Sequence, residues 1–218
     1  MLRKAFGGGC LCVLLDLLIV LPMQAIFGDA SEWHGFFWST FGQAFLEAGI
    51  PEELCKFLVL YWLIWKAPEF DEHFDGIVYA TFVSMGFACL ENILYVFQYG
   101  AGTGIMRAVT AVPGHFFFAV VMGYYFSKAK FDVTNRKSNM IKCIIYPMIV
   151  HGIYDMILFM MTGFQIRKMI RSLILLAFCS SRSSSLISDF GGMGSAESRN
   201  CAKRIWPIWR RIAEPSII

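Results

Sequence analysis

Two adjacent glutamates and a lysine, in the run Pro51-Glu52-Glu53-Leu54-Cys55-Lys56, stand inside a long apolar stretch. Proline suits the first position of a helix, which puts both carboxylates in its first turn, where backbone N–H groups and the helix dipole favour negative charge. Lys56 follows Glu52 by four residues and Glu53 by three, so it shares their face and can hold one of them ionised. The other is left to take a proton from water, which is the work of a general base in hydrolysis. The structural alternative is an acidic helix start at a membrane surface.

Three further clusters are chemically equipped. Glu91-Asn92 lies deep in the run from Phe74 to Tyr99, and a carboxylate beside an amide there can hold water or position a peptide. His115 follows Pro113-Gly114. His151 and Asp155 are four residues apart, on one helical face, where a carboxylate fixes the tautomer of an imidazole. Each has a structural alternative, a hydrogen bond to a neighbouring helix or a self-satisfied pair. Asp16, without a local partner, reads as structural or pore-facing. An ionisable group at mid-bilayer costs about 2.5–3.5 kcal/mol, so burying this many is hard to explain by packing alone. The set offers a base, a cation to bias it and imidazoles that donate to an oxyanion.

The elements that must position these groups are membrane helices. The chain has 218 residues, 57% hydrophobic and only 16% charged, against about 25% charged in a soluble domain. That excludes a soluble globular enzyme, a disordered chain and a nucleic-acid binder. The predicted fold is all-α, a polytopic bundle of about five spans. They run from about Gly9 to Phe27, Phe36 to Trp65, Phe74 to Tyr99, Met106 to Phe126 and Ile141 to Met161. Gly100-Ala101-Gly102-Thr103-Gly104 reads as a link. The stretch Phe36–Trp65 is interrupted at Gly49-Ile50-Pro51, and each half is too short to span, so a broken helix near Pro51 is expected. The seven Cys form no CxxC pair and mostly lie in apolar runs, which argues against a disulfide framework.

Residues 1–164 carry 10 Lys and Arg against 13 Asp and Glu, whereas 165–218 carry 9 against 3, with ten of the fifteen Ser. The first part reads as the membrane-embedded domain and the second as a basic, Ser-rich tail outside the fold. Arg3, Lys4 and the basic loop 127–142 predict a cell-membrane protein with a cytoplasmic N-terminus.

The ordered set Glu52-Glu53-x-x-Lys56, Phe87-x-x-x-Glu91-Asn92, His115 and His151-x-x-x-Asp155 resembles the motifs of PrsW-type intramembrane proteases. These are related to the CAAX-prenyl endopeptidases and bacteriocin-processing membrane enzymes, which show paired Glu followed by Arg, Phe-x-x-x-His and His-x-x-x-Asn or -Asp. The resemblance covers about residues 36–163 and includes Phe74-Asp75-Gly76-Ile77-Val78-Tyr79-Ala80. It implies proteolysis of a membrane-anchored protein, in the best-known members an anti-sigma factor. Carried over by position, Glu52 activates water and Glu53 pairs with Lys56 or shares that task. Glu91 and His115 complete the water site or hold the scissile carbonyl, and His151, oriented by Asp155, stabilises the oxyanion, with Lys56, Asn92 and Asp155 in support.

Members of that family have been described both as glutamic and as metalloproteases. A carboxylate with imidazole donors hydrolyses peptides without a cofactor. Were zinc bound, Glu91, His115 and His151 are the expected ligands. The partners are then a membrane-anchored substrate and the bilayer, with no nucleic acid. A transporter, channel or non-catalytic binding protein using the same buried groups is the alternative from another class. The absence of an internal repeat speaks against a transporter.

Overall fold

The computed structural model describes the backbone of residues 1–189 and the side chains of residues 1–163. The tail expected from residue 165 onward falls outside the described side chains. Residues Met1–Met160 form one compact unit.

Among the described residues there is no strand. The order is α1 (Leu2–Phe27), a 3-10 turn (Ala30–Glu32), α2 (Phe36–Phe41), a π-helical stretch (Gly42–Gly49), α3 (Ile50–Ile64), α4 (His73–Tyr99), α5 (Ala101–Val109), α6 (Ala111–Phe131) and α7 (Arg136–Asp189). Four segments are long and apolar enough to cross a membrane: Leu2–Glu32, His73–Tyr99, Ala101–Phe131 and Arg136–Gly163. The chain is a helical membrane bundle.

The expected break near Pro51 takes another form. The backbone stays helical at Phe41, Gly49 and Ile50, and the eight residues before α3 are wound as a π-helix. Ile50 N–H bonds to Phe45 O, five residues back. Pro51 explains why: its ring collides with the carbonyl four residues earlier in an α-helix, and wider winding removes the collision. The composite helix 36–64 runs antiparallel beside α1 along its length. Gln24 donates to Glu47, Cys12 donates to the Cys55 carbonyl, and Gly8 lies against Val59 and Leu63. It therefore traverses the bundle once.

The Gly-rich run 100–104 is not a free link. Gly100, at φ 87°, ends α4, and residues 101–109 then form α5. Gly104 is buried against Val96, and the Asn92 amide donates to its carbonyl at 3.3 Å. Close helix packing makes this Gly-rich segment helical despite its low intrinsic propensity.

α4 is the central helix. A Cβ at Gly9 would strike the Val83 carbonyl, so α1 lies directly on α4. On the other side a Cβ at Gly123 would lie 2.5 Å from the Gly76 carbonyl, bringing α6 equally close. The core between these helices and α3 is filled by Leu60, Ile64, Val83, Phe87, Met122 and Phe126. At one end of the bundle Lys130 donates to the Trp65 carbonyl at 2.6 Å, and Phe70 stacks on Phe126 and meets Phe131 edge-on.

Candidate active site

The first two turns of α3 deliver Glu52, Glu53 and Lys56, all buried. Lys56 pairs with both carboxylates, Nζ lying 3.2 Å from Glu52 Oε2 and 2.8 Å from Glu53 Oε1. Its ammonium also lies 4.2 Å from the Phe87 ring centroid, a cation–π contact from α4. The carboxylates are not equivalent. Glu53 is 0% exposed, with Oε1 also 3.0 Å from His151 Nδ1 and Oε2 without a partner. Glu52 is 7% exposed and lines a cavity of about 140 Å³, room for several waters. Only Glu52 of the pair can meet water there.

His115 reaches the cluster from the second turn of α6. Its Nδ1 lies 3.1 Å from Lys56 Nζ and its Nε2 3.1 Å from Glu91 Oε2. Its carbonyl accepts from Ser84 Oγ at 2.8 Å, which pins α6 to α4. An ammonium only donates, so Nδ1 accepts and Nε2 carries the proton given to Glu91.

His151 comes from α7, held close because Gly152 meets Gly49: a Cβ on Gly49 would lie 2.9 Å from the Gly152 nitrogen. Its Nδ1 faces Glu53 at 3.0 Å and its Nε2 faces Asp155 at 3.2 Å and Glu52 at 3.9 Å. Carboxylates on both sides call for donors on both nitrogens. The ring stacks on Phe118 at 4.6 Å and stands perpendicular to His115 at 5.2 Å.

Glu91, from α4, accepts from His115 and pairs with Arg107 at 2.6 Å. Asn92, one residue on, turns away to α5 and does not line the cavity. Asp16 is half-buried on α1, Oδ1 without a partner, and also outside the cavity lining. The structure thus brings together Glu52, Glu53, Lys56, Glu91, His115, His151 and Asp155. Sequence reasoning missed Arg107, Tyr95 and Tyr154, which line the cavity. Arg107 carried a signal, a lone cation between two apolar runs, but nothing in its spacing named Glu91.

The metal question turns on this geometry. Donor atoms of Glu52, Glu53, His115 and His151 lie within 4.8 Å of one another, and two imidazoles with two carboxylates suit zinc. Glu91 is outside this group: the His115 ring stands between, one nitrogen toward each. Lys56 Nζ is already 2.8–3.2 Å from three of the four residues. A dication about 2.0–2.2 Å from those donors would stand almost against the ammonium. These donors could hold a metal ion only if the Lys56 ammonium moved aside.

Residues 1–180 match the sequence profile of the PrsW family intramembrane metalloproteases. Among curated proteins, the chain is similar to Protease PrsW of Geobacillus kaustophilus, 43% identical over 66% of this chain and 64% of the relative. It is 40% identical to Protease PrsW of Oceanobacillus iheyensis over 66% and 67%, and 37% identical to that of Bacillus subtilis over 66% of each. The chain thus spans just under two thirds of the Geobacillus relative. No solved structure matches it.

Proposed function

The chain belongs to the PrsW protease family, and from that premise we propose that it is an intramembrane endopeptidase in which Glu52 activates water against a peptide bond of a membrane-anchored protein. The observation that carries the reading is the convergence of Glu52, His115 and His151 on one cavity from three helices. Glu52 takes the proton of a water in the cavity while Lys56, held by Glu53, keeps a positive charge beside it. His151, flanked by Asp155 and Glu53, presents Nε2 on the Glu52 side and donates to the oxyanion as it forms. Glu52 then passes its proton to the leaving amine.

The cavity lies toward the end of the bundle away from the N-terminus: Glu91 is about 12 Å from the end of α4 at 1.5 Å per residue. Arg3, Lys4, loop 65–72 and loop 132–135 gather at the opposite end, which the positive-inside rule assigns to the cytoplasm. The substrate class is then a single-span protein cut in the outer half of the membrane, an anti-sigma-factor-like protein among them. The test is purified protein in detergent with a transmembrane peptide. Wild type is expected to cleave and Glu52→Gln and His151→Ala to fail. Equal cleavage by all three overturns the assignment.

A further inference from the structure

We infer that Arg107 is a positioning residue for hydrolysis, acting through Glu91 to hold His115 in the tautomer whose Nδ1 lone pair faces the Lys56–Glu52 cluster.

Helix α5, nine residues long, leaves α4 at Gly100 and turns into α6 at Thr110. It is docked on α4 at two places three residues apart on its own face. At Gly104 the backbone presses against Val96 and accepts from Asn92. At Arg107 the guanidinium pairs with Glu91 at 2.6 Å and lies 3.7 Å from the Tyr95 ring centroid. Glu91 and Tyr95 are four residues apart on α4, so one face of that helix clamps the guanidinium from its edge and from its plane. Arg107 meets Glu91 through Nη2 alone, its Nε being buried without a partner, so a single cationic donor is what the pairing requires.

Glu91 Oε2 accepts from His115 Nε2 and forms an ion pair with Arg107 Nη2. The ring has one other nitrogen, and Lys56, a pure donor, faces it. Donation thus runs from Lys56 to His115 Nδ1 and from His115 Nε2 to Glu91, and Arg107 pairs with that same carboxylate from the other side. Every proton is assigned if Glu91 is an anion, and Arg107 is the cation that keeps it so in a half-buried place. A protonated Glu91 would offer a donor to Nε2 and force the ring proton onto Nδ1, against the ammonium. Outer partners that orient a metal-bound histidine typically change activity by about 10–100-fold when removed, and the same scale is taken for His115.

The test has a structural arm and a kinetic arm. The structural arm is 15N NMR of full-length protein labelled at its four histidines, with the His115 signals assigned by their loss in His115→Gln. Wild type is expected to show neutral His115 with its proton on Nε2, and Arg107→Lys to keep it. Arg107→Met is expected to lose that single-tautomer signature, with Arg107→Gln as a second neutral variant should Met fail to fold. In the kinetic arm the neutral variants lose about 10–100-fold in kcat with KM little changed, and Lys restores most of it. A neutral variant that keeps the wild-type tautomer, or a Lys variant as damaged as Met, overturns the inference. The kinetic arm rests on the hydrolytic reading. The NMR arm needs no substrate, so failure of cleavage in wild type sinks that reading while the tautomer still decides this one.

Discussion

Glu52→Gln and Glu53→Gln remove the same charge from adjacent positions, and their surroundings demand opposite consequences. Glu53 sits wholly buried between Lys56 at 2.8 Å and His151 at 3.0 Å. A glutamine there faces both donors with no net charge, and its amide hydrogens, placed at the unpartnered Oε2 position, find no acceptor. Breaking a buried ion pair from one side costs about 3–5 kcal/mol. Against a total stability of about 5–15 kcal/mol, the melting temperature falls by on the order of 10 °C. Glu52→Gln leaves the Lys56–Glu53 pair intact, and its amide faces the cavity. Its melting temperature stays near wild type, while the loss of a general base lowers cleavage by roughly 10²–10⁴-fold. Thermal unfolding in detergent and cleavage of a transmembrane peptide, run on the same preparations, separate the two. The reasoning is refuted if Glu52→Gln cleaves like wild type, or if Glu53→Gln melts like wild type.

Purified protein is expected to carry far less than one zinc per chain by elemental analysis, and a chelator to leave the cleavage rate unchanged, because Lys56 Nζ already engages Glu52, Glu53 and His115. Stoichiometric zinc whose removal abolishes cleavage would show that the lysine moves aside. Gly49→Val places atoms against the Gly152 backbone and should destabilise by about 1–3 kcal/mol, with cleavage falling as His151 is carried away, read by melting and cleavage together. Asp155→Asn removes one of the two closest carboxylates of His151 but leaves Glu53. Cleavage should fall by about 10–100-fold at nearly unchanged melting temperature, and a loss as large as that of His151→Ala would assign Asp155 a direct part in the chemistry.

The bundle itself was legible because membrane solvent makes length and apolarity sufficient evidence: the run Phe74–Tyr99 became α4 at His73–Tyr99. The polar groups were legible because burying charge in lipid is costly, so Glu52, Glu91, His115 and His151 stood out before any geometry was known. The winding was not. An extra residue per hydrogen-bonded ring leaves no trace in composition, and Pro51 announced an interruption without saying that the helix would widen and continue. The Arg107–Glu91 pair was equally hidden, since its members lie on different helices and the contact depends on α5 folding back along α4, where glycines suggested a link. Equivalent-looking neighbours were separable only in space: sequence spacing lets Lys56 reach either glutamate, whereas the cavity wall admits Glu52 and not Glu53.

Apolar surface gives little reason for one membrane helix to choose another, because lipid tails are as apolar as leucine. The polar cluster supplies such a reason here. Glu53 binds α3 to α7 through His151, Lys56 binds α3 to α6 through His115, and Glu91 binds α4 to α6 and α5. The glycine contacts let the backbones approach closely enough for these short bonds to form. Four carboxylates, Glu52, Glu53, Glu91 and Asp155, face Lys56, Arg107 and a doubly donating His151, which leaves one negative charge in excess. Glu52, alone of the Glu52–Glu53 pair, opens on the cavity, so the excess charge has a place to take up a proton from water. On the proposed reading, the arrangement that holds the helices together also leaves Glu52, and not Glu53, to act as the base.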